Sequence, residues 1–261
     1  MKTEARKLDT TDLEAKVKAM YEEVARTPER EFHFETGRGL AEHLGYPAAD
    51  LDAIPAAAID SFAGVGYFLD LAALTPGERV LDLGSGSGTD SFLAAQAVGA
   101  GGQVVGVDMT VPQLEKARRL AGEAGFDHVE FREGHIEHPP VADASVDCVI
   151  SNGVVNLSPA KPAVFAAAAA ALRPGGRLAI ADIVTDVQLP EGVTCDASLW
   201  AACIGGAAQR DDYLDTIRDA GFTVEVVREN DYRFISDRAL GATTTYGVRS
   251  VSILAILTAG A

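Results

Sequence analysis

From Glu78 onward, short apolar runs of strand length alternate with helical stretches. The runs cover residues 79–83, 103–107, 128–132, 146–151 and 177–183, separated by helices of about ten residues or more. This alternation predicts a parallel sheet covered by helices on both faces. Two later runs, 223–228 and 251–257, follow with no long helix evident between them and predict an antiparallel pair at one edge. The fold class read from this pattern is α/β, with a seven-stranded, mostly parallel sheet.

Ahead of the sheet, Leu13, Val17, Met20, Tyr21 and Val24 recur at helical spacing, a stripe that should pack on the main body. Residues 27–60 are rich in alanine and broken by Gly37, Gly39, Gly45, Pro47 and Pro55, which predicts short helices and turns. The alanine run at 166–171, flanked by Phe165 and Leu172, is strong helix former rather than disorder. Thr110 and Gln113 have capping-box spacing at the head of the helix after the second strand, and Gly125 stands where its left-handed C-terminal residue belongs.

Composition narrows the partners. The chain has 261 residues, 48% of them hydrophobic, and 22 Lys and Arg against 38 Asp and Glu give a net charge of −16. Such a surface repels phosphate backbones and anionic lipid, so neither nucleic acid nor a membrane is an expected partner. The first residues lack an apolar signal core, and the most apolar run, 163–172, is far shorter than the ~20 residues a bilayer span needs. A cytoplasmic location is expected. Cys148, Cys195 and Cys203 match no disulfide or zinc framework and matter, if at all, as thiols.

The chemistry-bearing segment is Asp82-Leu83-Gly84-Ser85-Gly86-Ser87-Gly88-Thr89-Asp90, a buried strand turning through glycines into a helix. Glycines there let a ligand approach the backbone, and the helix start offers unpaired N–H groups. A dinucleotide loop wants its third glycine one position later, where Thr89 stands. The spacing favours S-adenosylmethionine over a nicotinamide dinucleotide. Asp108 ends the next strand, where a carboxylate can accept both ribose hydroxyls or cap the following helix. Met109 beside it offers adenine a soft apolar face, or is core. After the third strand, the Ile136 N–H and the His135 ring are placed for the adenine edge; His135 and His138 form a poor metal pair.

Taken together, the glycine loop, the 106–110 GVDMT run, Ser151-Asn152-Gly153-Val154-Val155-Asn156-Leu157-Ser158, the Pro174-Gly175-Gly176 turn and the 199–207 segment around Cys203 resemble the S-adenosylmethionine-dependent arsenite methyltransferases, over roughly residues 62–234. The resemblance implies a Rossmann-like class I methyltransferase fold with an N-terminal helical lid at 1–75, a cofactor-binding domain at 76–261 and an acceptor-side insertion at 184–222. It also implies that Asp82, Gly84, Gly86, Gly88 and Asp108 hold the cofactor, with Ser85 and Asp90 of the same loop. Ser151 and Asn152 would line the wall near the methyl group, and Cys203 would bind arsenic as a thiolate. Arsenite or a thiol-conjugated arsenical would be the substrate, with glutathione or thioredoxin as reductant. The family's partner cysteines fall where this chain has Gly153 and Val65.

Cys195 is then the remaining candidate to join Cys203, since Cys148 lies mid-strand and reads as core. With Asp196 as an N-cap, helix geometry separates Cys195 and Cys203 by ~10–12 Å along the axis. They are either arsenic ligands brought together by a folded-back loop or two small buried hydrophobes. The small Gly153 also leaves room for a bulkier organic acceptor, with Tyr67, Glu35, Trp200 and Tyr232 as wall candidates. Carbon or oxygen methylation would call for a base, and His33 or Glu35 is the best placed by sequence. A nicotinamide enzyme and a ligand-responsive binding protein are the more distant alternatives.

Overall fold

The computed structural model describes residues 8–30, 32, 34–196, 199–200, 204–235 and 237–258. His33 and Cys203 therefore lie outside the described residues. The N-terminal stripe forms α1 (Thr10–Arg26), capped by Asp9, whose carboxylate accepts from the Thr11 and Asp12 N–H groups. The alanine-rich stretch forms three short helices, α2 (Gly37–His43), α3 (Ala48–Asp52) and α4 (Ala56–Asp60), and α5 (Leu69–Ala72) leads into the sheet.

The sheet then builds through β1 (Arg79–Leu83), α6 (Thr89–Val98), β2 (Gln103–Asp108), α7 (Val111–Ala124), β3 (Val129–Glu133), β4 (Val146–Asn152), α8 (Lys161–Ala171) and β5 (Leu172–Thr185). After α9 (Glu191–Thr194) come β6 (Ala208–Gln209), α10 (Arg210–Asp219), β7 (Phe222–Glu229), α11 (Asp237–Tyr246) and β8 (Arg249–Leu257). The strand order is β3-β2-β1-β4-β5-β8-β7; β8 runs antiparallel between β5 and β7, and the rest of the main path is parallel in direction. All seven expected strands are present, and an eighth, the two-residue β6, pairs with the end of β5.

The strands bury both faces, as parallel strands sandwiched by helices must. Leu81, Val105, Val149 and Leu178 pack toward Phe165 of α8 and Tyr213 and Ile217 of α10. Val80, Val104, Cys148 and Ile150 pack the other way, in one cluster with Ala94 and Val98 of α6 and Leu13 and Val17 of α1. A third cluster joins Leu40, Tyr46, Leu51, Ile54 and Phe62 of the N-terminal segment to Phe92, Leu114 and Phe131, which docks that segment on α6 and α7.

Three local expectations are corrected. The link between β7 and β8 contains the ten-residue α11, whose Asp-Arg-Ala-Leu-Gly-Ala-Thr-Thr-Thr-Tyr sequence carries too little apolar periodicity to announce itself. The Pro174-Gly175-Gly176 turn lies within β5, where Gly175 takes φ +78° beside a register shift opposite Val146 and Cys148. The capping box does not form: Thr110 makes no side-chain cap bond, and Gln113 is drawn into long-range contacts instead. Gly125 does end α7 in the left-handed region, at φ +73°.

Candidate functional site

Above the carboxyl ends of β1, β2 and β4 lies a cavity of about 510 Å³, in the range of small-molecule sites. Its floor is the glycine loop. Gly84, at φ +77°, accepts the close approach of Val154; a Cβ there would sit 2.4 Å from Val154 Cγ2. Gly86, at φ +53°, lines the cavity, and only Gln113 Oε1, at 3.9 Å, stands within 4 Å of where its Cβ would be. A side chain at 86 would therefore occupy ligand space. Gly88 serves packing instead, because it is off the cavity wall and a Cβ would strike Phe131 and Phe92 at 2.7 and 2.9 Å.

Asp108 reaches the cavity from the end of β2. Its carboxylate accepts from the Gly86 N–H at 2.9 Å and the Thr110 N–H at 2.8 Å, so it props the glycine loop and keeps one lone pair per oxygen for a ligand. Burial raises its pKa, opposed by those two N–H groups. Met109, His135 and Ile136 line the cavity too. Asp82 and Asp90 also line the wall, Asp82 accepting from Ser91 Oγ at 2.6 Å. Desolvation, and then the charges of Asp90 and Asp108, push Asp82 up to about 8; desolvation pushes Asp90 up to about 6. Ser85 Oγ is buried on the wall with no hydrogen-bond partner among the described residues, a polar atom open to a ligand.

Other expected residues are placed differently. Ser151 is not on the cavity wall: its Oγ donates to the Leu83 carbonyl at 2.7 Å and ties β4 to β1. Asn152 does line the cavity, yet its amide is fully used: its oxygen accepts from the Val65 N–H at 2.7 Å, and its two N–H protons are shared among Tyr46 Oη, Gly66 O and Asp90 Oδ2. Cys195 ends α9, half-buried and off the wall. Glu35 is exposed, and neither it nor Tyr67, Trp200 or Tyr232 lines the cavity. Cys148 is core as expected, with burial pushing its thiol up to about 12.

Several cavity residues were not anticipated. The α1 stripe packs on the main body as expected and also faces the cavity, contributing Leu13, Val17 and Tyr21, with Thr10, Thr11 and Glu14 beside them. Glu14 Oε1 stands 3.9 Å from His135 Nε2 across the opening. Thr10, Thr11 and Glu14, polar residues beside the apolar stripe, were the available signal. Tyr46, buried behind the wall and off the cavity, sits in a Leu-Gly-Tyr-Pro turn that offered none.

Val65 and Gly153 meet. A Cβ at Gly153, at φ +71°, would lie 3.1 Å from Val65 Cγ1, so the two positions where the resemblance expects cysteines are neighbours in space and carry no sulfur. Nearby, Trp200 is anchored by its Nε1–H to Thr194 O at 2.7 Å, by Lys161 Nζ 4.9 Å over its ring, and by glycines 205 and 206, where any Cβ would strike it.

Comparison with known proteins places this architecture. Residues 74–221 match the family model described as a methyltransferase domain. An arsenite methyltransferase of Halobacterium salinarum is 46% identical over 205 residues, 78% of this chain and 52% of that protein. The crystal structure of CrArsM, an arsenic (III) S-adenosylmethionine methyltransferase from Chlamydomonas reinhardtii, superposes with TM-score 0.69 and 34% identity, covering 80% of this chain and 72% of that one. The chain belongs to the arsenite methyltransferase family of class I, S-adenosylmethionine-dependent methyltransferases. It spans about half the length of the curated arsenite methyltransferases it matches. Nocamycin O-methyltransferase of Saccharothrix syringae is also similar, 32% identical over 74% of this chain and 80% of that protein.

The residues present fit the family's cofactor. The floor is open where Gly86 lacks a side chain, Ser85 Oγ has no partner among the described residues, and the Asp82 and Asp90 carboxylates line the wall together with Met109 and His135. No helix among the described residues is long and apolar enough to cross a membrane.

A pH effect follows. Asp82 is mostly protonated at neutral pH in the ligand-free site, and a cation placed beside it favours the charged form. Binding of S-adenosylmethionine at pH 7 should therefore release up to about one proton, and release should fade above pH 9. Calorimetry in buffers of different ionisation enthalpy measures it. Proton uptake, or no exchange, would contradict the assignment.

Proposed function

We propose that this protein transfers a methyl group from S-adenosylmethionine to trivalent arsenic held by thiolates. The observation that carries the reading is the cavity over the glycine loop, walled by the Asp108 carboxylate at the end of β2 and by the Asp82 and Asp90 carboxylates of β1 and α6. In this reading Asp108 accepts the ribose hydroxyls, Met109 and Ile136 hold the adenine, and Asp82 and Asp90 face the cationic end. When bound, the cofactor supplies a methyl group on a positively charged sulfur, open to in-line displacement.

An arsenic(III) centre brings its own lone pair, so the chain must hold and aim the acceptor rather than take a proton from it. Soft thiolates suit that role, and Cys203 with Cys195 is the proposed pair. Leu13, Val17, Val154 and Leu157 on the cavity wall would keep water from the reacting centre. Residues 1–75 would act as a lid and residues 184–222 as the acceptor-side insertion. Glutathione or thioredoxin would return the arsenic to its trivalent state, in a cytosol that keeps thiols reduced.

The test is direct. Purified protein is incubated with cofactor, thiol and arsenite, and the arsenic species are separated. Methylated arsenic is expected, and its absence would sink the reading. A second reading, methylation of an oxygen or carbon of a small organic acceptor, draws on the sulfur-free contact of Val65 with Gly153 and on the similarity to nocamycin O-methyltransferase. It predicts cofactor turnover on such an acceptor with arsenite inert.

A further inference from the structure

Asp90 occupies the first turn of α6, is 7% exposed and lines the cavity. Both of its oxygens are held. Tyr46 Oη donates to Oδ1 at 2.6 Å, and Asn152 Nδ2 donates to Oδ2 at 3.1 Å. Distance sets the direction of the Tyr46 bond: its single proton goes to Asp90 Oδ1 at 2.6 Å rather than to Gly66 O at 3.4 Å, while its oxygen accepts from Asn152 Nδ2 at 2.9 Å. Asn152 cannot turn away, because its own oxygen accepts from the Val65 N–H. The Tyr46 ring is fixed in turn by edge contacts with Phe62 at 5.1 Å and Tyr67 at 4.8 Å.

A core anchor would not need a carboxylate at its centre. Among the described residues, the titratable groups interacting with Asp90 are Asp82 of β1, Tyr46 and Tyr67, while Asp108 of β2 acts on Asp82. All are acidic. Two neighbouring buried carboxylates with no cation from the described residues lack a counter-charge, and a ligand can supply it.

We propose that Tyr46 is a positioning residue, holding the Asp90 carboxylate toward the cavity so that the site prefers a ligand with a cationic end. The inference rests on the cofactor reading above. Burial pushes Asp90 up to about 6, and the Tyr46 and Asn152 donors oppose that rise. Losing the phenol hydroxyl raises Asp90 further, and a protonated Asp90 must give up its proton before it can serve a cation.

Tyr46→Phe keeps the ring and its packing, and two probes read the outcome. S-adenosylmethionine carries the cationic end; methylthioadenosine keeps the nucleoside and carries no charge. Relative to wild type, the variant is expected to bind S-adenosylmethionine about threefold more weakly at pH 6.5, the loss of ionised Asp90 that a rise of roughly one pKa unit from about 6 gives. Most of that loss should be regained by pH 8.5, with methylthioadenosine affinity unchanged at both. An equal loss at the two pH values, or an equal loss for methylthioadenosine, would mean that Tyr46 only packs and would overturn the proposal. Wild-type protein that bound methylthioadenosine but gained nothing from the cationic end would overturn it too. Wild-type protein that bound neither would instead overturn the cofactor reading, and this inference with it.

Discussion

Replacing Cys203 with serine is expected to abolish arsenite methylation, a loss of at least about 10²-fold, while leaving cofactor affinity at its wild-type value. The size comes from positioning: a misplacement of the acceptor by about 1 Å can cost that much. The direction comes from ligand softness, because a serine hydroxyl is a hard oxygen that stays protonated at neutral pH and cannot replace a thiolate on arsenic. Cofactor affinity should survive because the cavity residues proposed to face the cofactor, from Asp82 to Ile136, belong to the β1, β2 and β3 loops. In the chain Cys203 lies between Trp200, held by Thr194, Lys161 and two glycines, and Ile204, which is 1% exposed. Arsenic speciation after a fixed turnover time measures the effect. Full retained activity would show that the thiol only fills space.

Asp108→Ala is expected to weaken S-adenosylmethionine binding by roughly 1.5–3 kcal/mol, the range for hydrogen bonds to a charged group. That is about 10- to 150-fold in dissociation constant. Two causes contribute. The ribose loses its acceptor, and the Gly86 and Thr110 N–H groups lose theirs, so the loop beneath the ligand loosens as well. Titration with a cofactor analogue lacking both ribose hydroxyls separates them: the part of the loss due to the ribose disappears with that analogue, and the part due to the loop remains. An unchanged dissociation constant for the natural cofactor would refute the assignment.

Some residues are legible in the sequence because their signals are local. The strand runs, the glycine spacing from Gly84 to Gly88, the acid at the end of β2 and the glycine after α7 each declare themselves within a few positions, where backbone conformation and periodicity operate. Ser151 is not legible in this way, because a serine at a strand end can face a ligand or a neighbouring carbonyl, and the pairing of β4 with β1 decides between them. The capping box at Thr110 fails for a similar reason: Gln113 finds Ser87 and the Tyr21 carbonyl, partners distant in sequence.

By itself, then, the sequence determined the α/β class, the order of strand and helix, and a loop shaped for a nucleoside carrying a sulfonium. Tertiary structure alone decided which α1 residues line the cavity, that Val65 meets Gly153, and that Tyr46 reaches Asp90 across 44 positions of chain. The physical reason is one of range. Torsional preference and hydrophobic period act over a few residues. Contacts between distant segments exist only once the helices and sheet have packed, and the shape of that packing then chooses which polar groups meet.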